Sequence, residues 1–330
     1  MAALKSPIGI YLEHPHWFER LFAELDRRGT PYERIDATQH HFDIQPNGNR
    51  KYSLIFNRMS PSAYTRGHGH GIYYTVSYLE HLERLGTRVI NGARAFRYEV
   101  SKASQLSLLH SLALPYPRAR VINHAGEAHA AASGFRFPVI VKPNVGGSGK
   151  GIARFDTPEG LEQAAENGQF SLGLDSTALV QEFIPARDGH ITRVEVVGGK
   201  YLYAINVYIT GETFDLCPAD ICKTTSGIEL NLATCAVEAP KAGLRVEGYT
   251  PPAQVIQDVE RIMQATGIDV GGIEYVIDAR DGQLYYYDIN ALSNFVADGP
   301  RVIGFDPFIK LVDYLEQQAQ ESLKKQEAAA

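Results

Sequence analysis

The sequence lacks the marks of several protein classes. It has three cysteines, at positions 217, 222 and 235, and an odd, small number does not build a disulfide framework. No run of about 18 apolar residues occurs, so no transmembrane helix is expected. The apolar stretch in MAALKSPIGIYL is too short and too proline-interrupted for a signal peptide. These absences predict a protein of a reducing compartment, located in the cytoplasm.

Positive charge is also in short supply. The chain has 32 Lys and Arg against 38 Asp and Glu, a net charge of -6. A nucleic-acid binder normally shows a basic face, so neither a nucleic-acid nor a membrane partner is expected. A local basic site for phosphates remains compatible with this charge. The 330 residues, 44% of them hydrophobic, suffice for two or three packed units.

Apolar periodicity divides the chain into three parts. The first predicts strands and helices in alternation, with strands at 8–12, 32–36, 52–57 and 88–90, helices at 18–25 and 72–85, and a GHGHG loop at 67–71. The second predicts a helix at 99–113 and strands at 139–142, 152–155 and 178–184. The third predicts strands at 192–197 and 200–209, a helix at 253–265, a hairpin at 272–290 and a last helix from Phe308. The fold class is therefore α/β, changing to α+β in the C-terminal part.

A glycine-rich turn lies between two strand candidates at residues 139–152, VIVKPNVGGSGKGI. Glycines let backbone N–H groups converge on anionic oxygens, and Lys150 adds positive charge. A Walker A loop is excluded, because it requires glycine in place of Asn144 and Ser or Thr in place of Gly151. The dinucleotide fingerprint is excluded because a strand follows. The pattern predicts a hairpin whose tip is either a lid over phosphates, with Lys142 pointing into the site, or a plain soluble turn.

The segment GGIEYVIDARDGQLYYYDIN, residues 271–290, is predicted to form a second hairpin around an Asp-Gly turn. A three-residue loop at 280–282 would place Glu274 opposite Asp288, and Asn290 shares a face with Asp288. Facing carboxylates destabilise a strand pair unless something neutralises them. Magnesium takes one or two carboxylates together with waters and phosphates. The pattern predicts a magnesium site, and the alternative is an exposed hairpin whose polar face meets water.

Taken together, these segments make the chain resemble the ATP-grasp superfamily, and within it the glutathione-synthetase and RimK-type carboxylate–amine ligases. The resemblance covers nearly the whole chain and rests on VIVKPNVGGSGKG, ALVQEFI (178–184), ITRVEVVGG (191–199), GGIEYVID, YYYDIN, LIFNRMSPSA (54–63) and the segment 91–119. It implies an ATP-grasp fold behind a Rossmann-like pre-ATP-grasp domain. The implied domains are a pre-ATP-grasp domain at 1–95, an N-subdomain with the lid at 96–185, and a C-subdomain with the metal site at 186–325.

The same resemblance implies roles for individual residues. The implied ATP contacts are Lys102 and Lys142 at the phosphates, the lid Gly146, Gly147, Ser148 and Gly149, the adenine hinge Gln181, Glu182, Phe183 and Ile184, and Asp188 at the ribose. Glu182 would accept a hydrogen bond from the exocyclic amine of adenine, and Lys142 would also lie near that ring. Arg193 and Lys142 are the implied catalytic residues, with Arg193 beside the transferring phosphate. Glu274, Asp288 and Asn290 match the magnesium ligands, for two ions.

Two positions depart from the family pattern. Many relatives carry arginine where Asn206 falls, and that arginine helps to hold the acyl phosphate. Relatives usually have glutamate in place of Asp288. The shorter carboxylate still suits magnesium, but the metal must shift or the backbone must approach.

Candidates for substrate contact lie outside the two hairpin motifs: Arg58, Asn206, Cys217, Ser293, Asn294 and Arg301. Arg58 could reach a substrate carboxylate or pair with a surface acid. The loop after Asn290 touches the carboxylate substrate in relatives, and the alternative is a plain connection. The three cysteines lack a zinc spacing and are better read as buried or surface thiols, although they fall where relatives line the substrate pocket. His68 and His70 could bind metal, but a solvated loop is the simpler reading.

The implied reaction joins a carboxylate to an amine. ATP and the carboxylate give an acyl phosphate and ADP, the amine attacks, and phosphate leaves. The expected partners are a small acid, such as an amino acid or small peptide, and an amine. Two alternatives stay open: a nucleotide-binding regulatory protein without turnover, and acyl transfer to a thiol or hydroxyl. A homodimer is also left open.

Overall fold

The structure is a computed structural model that describes residues 4–14, 16–45, 51–147, 149, 151–208 and 245–329. Its helices are α1 (Glu19–Arg28), α2 (Gly69–Arg84), α3 (Ala93–Glu99), α4 (Lys102–Ser111), α5 (Ala128–Ala132), α6 (Pro158–Glu166), α7 (Ala253–Thr266), α8 (Gly299–Ile303) and α9 (Pro307–Ala329). Across these ranges, no helix combines the length and the apolar character that spanning a bilayer requires.

The strands form three sheets. They are β1 (Ile8–Leu12), β2 (Tyr32–Asp36), β3 (Leu54–Arg58), β4 (Val89–Ile90), β5 (Ala119–Ile122), β6 (Val139–Pro143), β7 (Ala153–Phe155), β8 (Ala178–Glu182), β9 (His190–Val197), β10 (Lys200–Tyr208), β11 (Val246–Tyr249), β12 (Val270–Ile277) and β13 (Leu284–Asn290). The sheet orders are β2-β1-β3-β4, β5-β8-β6-β7 and β11-β10-β9-β12-β13. The first sheet is parallel and the other two are antiparallel. The mixed α/β class is as predicted, while the bounds of the three domains remain predictions.

The first sheet is built as the apolar pattern requires. Strands β1 and β3 are buried along their whole length, as expected of parallel strands covered on both faces. Helix α1 packs Leu21, Phe22 and Leu25 inward and ends at Gly29, whose φ of 68° suits glycine. Because the strands are parallel, the side chains that follow them gather along one edge of the sheet, where Arg58 ends β3.

Two local predictions were wrong. The GHGHG stretch is not a loop throughout, because α2 begins at Gly69. His68 precedes that helix and lies 2.7 Å from the Glu13 carboxylate, so its imidazole already has a protein partner. The helix predicted for 99–113 begins later, at Lys102, because Ser101 is extended and caps α4 by accepting a hydrogen bond from the Ser104 backbone N–H. Glu99 is instead the last residue of the separate helix α3.

Candidate functional site

The predicted metal ligands lie together on the β12–β13 hairpin. Glu274 pairs with Asp288 in register, and Gly272 pairs with Asn290. The Glu274 carboxylate is buried and accepts a hydrogen bond from Tyr287 Oη at 2.9 Å. The Nδ2 atom of Asn290 is buried without a hydrogen-bond partner in the described part of the chain. The hairpin therefore brings two carboxylates and one amide together, although no cluster of three His, Cys, Asp or Glu side chains occurs among the residues described.

Helix α4 supplies a lysine to this hairpin. Lys102 Nζ lies 2.6 Å from Asp288 Oδ1. One turn later, the Gln105 side chain donates to Ile289 O at 2.8 Å and accepts from Ile289 N at 3.1 Å, which fixes α4 against β13. Burial opposes ionisation of Asp288, yet the ammonium of Lys102 holds the pKa of Asp288 below its ordinary value. The pair is thus ionised and placed beside Asn290.

The guanidinium of Arg193 neutralises the charge of Glu274, the other carboxylate of the hairpin. Its Nη1 donates to Glu274 Oε1 at 2.8 Å and its Nε donates to Glu195 Oε1 at 2.6 Å. Burial raises the pKa of Glu274, and the charge of Arg193 opposes that rise. Glu195 is two residues from Arg193 on β9, so both side chains lie on one face of the sheet. A buried guanidinium between two carboxylates is held in one position with its charge retained.

Lys142 lies on β6 at the entry to the glycine-rich turn, where it is 4% exposed. Burial, with Lys102 adding to it, lowers the pKa of Lys142 to about 7. The neighbouring Asn144 holds the start of α4, because its Oδ1 accepts from Ala103 N at 2.9 Å and its backbone carbonyl accepts from Lys102 N at 3.2 Å. Asn144, two residues after Lys142, therefore links the strand that carries Lys142 to the start of the helix that carries Lys102.

The glycine-rich turn connects β6 and β7, which form the predicted hairpin. Its tip lies against the N-terminal part of the chain. A Cβ added at Gly147 would be 3.5 Å from Ser62 Cβ, and one added at Gly146 would be 3.5 Å from Tyr64 Oη. Gly149 has a φ of 67°, which suits glycine. Ser148 and Lys150 lie outside the described residues.

The predicted adenine hinge divides between two faces of β8. Gln181 is buried, and its Oε1 atom has no hydrogen-bond partner among the residues described. It pairs with Ile140 while Leu179 pairs with Lys142, so Gln181 and Lys142 lie on the same face. Glu182 points to the other face, where its carboxylate accepts from Arg136 N at 2.9 Å.

The rest of the hinge follows β8. Phe183 donates its backbone N–H to Pro138 O at 2.9 Å, and Ile184 is buried in the core. Asp188 is exposed in a short turn with a φ of 56°. The structure thus brings Gln181 toward Lys142, but not the carboxylates of Glu182 and Asp188.

Asn206 does not face the metal ligands. It pairs with Thr192 across β9 and β10, and its Oδ1 accepts from Thr192 Oγ1 at 2.7 Å. Thr192 and Arg193 are consecutive, so Asn206 lies on the face opposite Arg193. The residues of β10 that share the face of Arg193 are Tyr203, Ile205 and Val207, none of which carries a positive charge. Asn206 is therefore not the neutral replacement of a cation at this site.

The remaining substrate candidates do not all lie at one place. Arg58 Nη2 donates to the Ser293 carbonyl and, at 3.0 Å, to Asn294 Oδ1. Ser293 Oγ is 3.4 Å from Arg193 Nη2, which links this trio to the metal ligands. Arg301 is exposed and donates to Asp298 Oδ2 at 2.7 Å, apart from the others. Cys217, like Cys222 and Cys235, lies outside the described residues.

Three residues at the site were missed from the sequence. Glu195 could have been found from its spacing. It lies two residues after Arg193 on a predicted strand, and residues two apart on a strand share one face. Glu99 accepts a hydrogen bond from Ala291 N, and burial raises its pKa to about 7. Its signal was hidden because the predicted helix at 99–113 began at Glu99, whereas Glu99 ends α3. Asn144 interrupts the glycine pattern and gave no signal beyond excluding a Walker A loop.

Comparisons with known proteins agree with this arrangement. Residues 100–213 match the family model described as a RimK-like ATP-grasp domain. A D-alanine–D-alanine ligase from Ectopseudomonas mendocina (strain ymp) is 34% identical over 117 residues, 36% of this chain and 36% of the relative. A formate-dependent phosphoribosylglycinamide formyltransferase from Synechococcus sp. (strain WH7803) is 36% identical over 111 residues, 33% of this chain and 28% of the relative. The match thus spans about a third of the length of these curated relatives.

Solved structures extend the likeness to the whole fold. The ATP-grasp ligase PsnB complexed with minimal precursor superposes with a TM-score of 0.65 at 17% identity, over 96% of this chain and 99% of that chain. A RimK domain protein ATP-grasp from Sphaerobacter thermophilus DSM 20745 gives a TM-score of 0.65 at 20% identity, over 94% and 99%. The chain therefore has the ATP-grasp fold, and its residues 100–213 match the RimK-like ATP-grasp domain.

Proposed function

We propose that this protein is an ADP-forming carboxylate–amine ligase that activates a small acid with Mg-ATP. One observation carries the proposal: three largely buried cations from separate elements surround the carboxylates of Glu274 and Asp288. Lys102 pairs with Asp288, Arg193 pairs with Glu274, and Lys142 acts on both carboxylates through space. So many opposed charges in one buried place are costly unless they serve a ligand. Phosphoryl transfer requires positioned cations and a metal rather than a nucleophilic side chain.

The donor set fits magnesium and the phosphates of ATP. Glu274 and Asp288 are facing carboxylates, and Asn290, which pairs with Gly272 on the same hairpin, adds an amide oxygen. Two carboxylates and an amide oxygen suit magnesium, which keeps waters and substrate phosphates in its remaining positions. Bound magnesium would neutralise phosphate charge during transfer. Two ions are the finer proposal, and Glu274, Asp288 and Asn290 would hold them.

The side chains have distinct tasks in this reaction. Lys142 and Lys102 would hold phosphate oxygens, and Gln181 would face the nucleotide base from the same side of β8 as Lys142. Arg193 would stabilise the charge that develops as the phosphoryl group passes from ATP to the substrate carboxylate. The nitrogen of an amine then attacks the acyl carbon of the acyl phosphate and loses a proton. The bond between the acyl carbon and the phosphate oxygen breaks, and phosphate leaves.

The alternative without turnover loses its original support. The departure from the family pattern that favours this alternative is the neutral Asn206, where many relatives carry arginine, and Asn206 lies on the other face of the sheet from Arg193. Acyl transfer to a thiol or hydroxyl differs only in the attacking atom, so the assay must offer each kind of nucleophile.

The test is ADP formation from Mg-ATP with amino acids and small peptides, offered singly and in pairs, and with hydroxylamine as a general nucleophile. A ligase forms ADP only when an acid is present and forms a hydroxamate when hydroxylamine is added. Tight binding of Mg-ATP with no ADP from any combination would replace the ligase with a binding module. A thiol or hydroxyl that outperforms every amine would instead redefine the acceptor.

A further inference from the structure

Asn91 is a buried asparagine that joins the two strands of the β12–β13 hairpin. It is 1% exposed, and its Nδ2 donates to Val270 O at 2.6 Å and to Ala291 O. Its Oδ1 accepts from Asp269 N at 2.9 Å and from Val270 N at 3.1 Å. An asparagine side chain offers two N–H donors and one oxygen with two lone pairs, so every position is used.

These hydrogen bonds lie at the open end of the hairpin, beyond the last pair of its ladder. Val270 begins β12, and Ala291 directly follows the proposed metal ligand Asn290, with which β13 ends. Asn290 pairs with Gly272, so it faces no side chain across the strands, and the ladder ends with this pair. Asn91 therefore takes the place of the next link between the two strands.

The residue after Asn290 is held by side chains on both of its backbone polar groups. β13 is the last strand in its sheet, so its outward N–H and C=O groups have no neighbouring strand among the residues described. Glu99 accepts a hydrogen bond from Ala291 N, and Asn91 donates to Ala291 O. Asn91 precedes helix α3 and Glu99 ends it, so both ends of this short helix hold Ala291.

The backbone of Asn91 is itself fixed from the N-terminal sheet. Its φ is 54°, in the left-handed region that asparagine adopts more readily than most residues. Its carbonyl accepts from Asn57 Nδ2 at 3.1 Å, and Asn57 is buried on β3. The N-terminal sheet thus supports the open end of the hairpin through one asparagine.

The placement of this end matters for a metal. Magnesium demands near-ideal octahedral geometry with oxygens at about 2.0–2.1 Å, so a small shift of Asn290 would weaken its binding. Loss of a residue that orients a metal ligand typically costs about ten- to hundred-fold in metal affinity. A shift at the open end would change metal binding even where the pairing of Glu274 with Asp288 persists.

We propose that Asn91 is a positioning residue of the magnesium site, which acts together with Glu99 through Ala291 and so fixes the amide of Asn290. This inference rests on the proposed function and deepens it, because it gives the N-terminal sheet a part in metal binding.

The test measures ADP binding by calorimetry on the whole chain, with and without magnesium. The ratio of the two dissociation constants gives the contribution of the metal and requires no turnover. Asn91→Gly accepts the φ of 54° without strain but loses all the side-chain hydrogen bonds. In this variant the ratio should fall roughly ten-fold or more, while the affinity for ADP without magnesium should change less than about two-fold.

A second variant guards against unfolding when the whole side chain is removed. Asn91→Asp keeps the size and the accepting oxygen of the side chain, but it lacks the donors to Val270 O and Ala291 O. An added negative charge would by itself attract magnesium. The ratio should therefore fall in this variant in spite of its charge, because the loss comes from the position of Asn290.

Leu79→Ala is the matched control for stability. Leu79 is fully buried in α2, and its core cluster includes no residue of the hairpin. The cavity lowers the free energy of unfolding and leaves the metal site in place. If Asn91 only stabilised the fold, Asn91→Gly would behave like Leu79→Ala, with a lower melting temperature and an unchanged ratio.

The outcomes distinguish this role from the ligase itself. A wild-type ratio in both Asn91 variants, or an equal loss of ADP affinity with and without magnesium, would overturn the positioning role. A wild type whose ADP affinity ignores magnesium would overturn it together with the metal assignment. Failure of the ligase would look different: no acid would support ADP formation, yet magnesium would strengthen ADP binding far more in the wild type than in Asn91→Gly.

Discussion

Glu274 and Asp288 face each other across the β12–β13 hairpin because of a bulge. Near the turn, Ile277 pairs with Leu284 and Tyr275 with Tyr286, a register that would place Tyr287 opposite Glu274. The register shifts by one residue after Tyr275, so Asp288 takes that place. Tyr287 instead donates its hydroxyl to Glu274. The bulge thus creates the facing carboxylates and also supplies one hydrogen bond to them.

Asp288→Ala should abolish ADP formation because it removes a charged ligand. It also leaves the ammonium of Lys102 without its ion-pair partner, so the free energy of unfolding is measured on the same preparation. The matched control is Asp281→Ala, which removes a carboxylate from the exposed turn of the same hairpin. That variant should keep wild-type turnover. Magnesium titrations of ADP formation check both, and normal turnover in Asp288→Ala would refute the metal assignment.

Arg193→Ala should depress turnover far more than nucleotide affinity, since its charge acts mainly on the transition state. The structure adds a second effect, because Arg193 compensates the buried Glu195 and Glu274. Removing one partner of a buried ion pair costs about 3–5 kcal/mol of folding free energy. Arg193→Lys keeps the charge but loses the planar guanidinium with its several N–H donors. It should therefore be more stable than Arg193→Ala and still lose most turnover. Chemical denaturation and kcat, measured on one preparation, separate the two effects.

Lys142→Met should weaken nucleotide binding and stabilise the nucleotide-free protein. The pKa of Lys142 is about 7 in the folded protein against 10.5 ordinarily, so the unfolded chain binds more protons between these values. The free-energy cost of burying the charged ammonium of Lys142 acts in full below pH 7 and decreases as the pH rises toward 10.5. The gain in melting temperature should therefore be larger at pH 6 than at pH 9. A variant that loses stability at pH 6 would contradict this burial cost.

Asn206→Ala should leave turnover within a few-fold of the wild type. Asn206 and Thr192 share a hydrogen bond on the face away from Arg193, so the change should cost only about 1 kcal/mol of folding free energy. Steady-state kinetics and thermal unfolding check the two parts. A large loss of turnover with unchanged stability would return Asn206 to the reaction centre.

The order of elements could be predicted from the sequence where the apolar periodicity is strong. The α1 face around Leu21 and the pairing of Glu274 with Asp288 are both present, although the route to that pairing differs. A bulge depends on how β13 packs against Gln105 and β12, and no local pattern encodes it. The side of the sheet that Asn206 occupies likewise depends on register, which a one-residue error reverses.

The ion pairs of the site were harder to predict. Lys102 and Asp288 are far apart in the chain, and their contact requires α4 to lie on β13 through Gln105. Arg58 was assigned to a substrate carboxylate or a surface acid from its motif alone. The structure excludes a surface position, since Arg58 is buried between two aromatic rings. Burial of this kind follows from tertiary packing and not from the residue's neighbours in sequence.

The glycine-rich turn at 144–151 should become protected from hydrogen exchange when Mg-ATP binds, because its glycines favour no single conformation until phosphates engage their N–H groups. Its contact with Ser62 makes a sharper test. A Cβ at Gly147 would meet Ser62 Cβ at 3.5 Å, an ordinary contact, so Gly147→Ala should bind nucleotide nearly as the wild type does. Gly147→Leu should not close against Ser62, and its nucleotide affinity and exchange protection should both fall. Equal protection with and without nucleotide in the wild type would mean that this turn is not a lid.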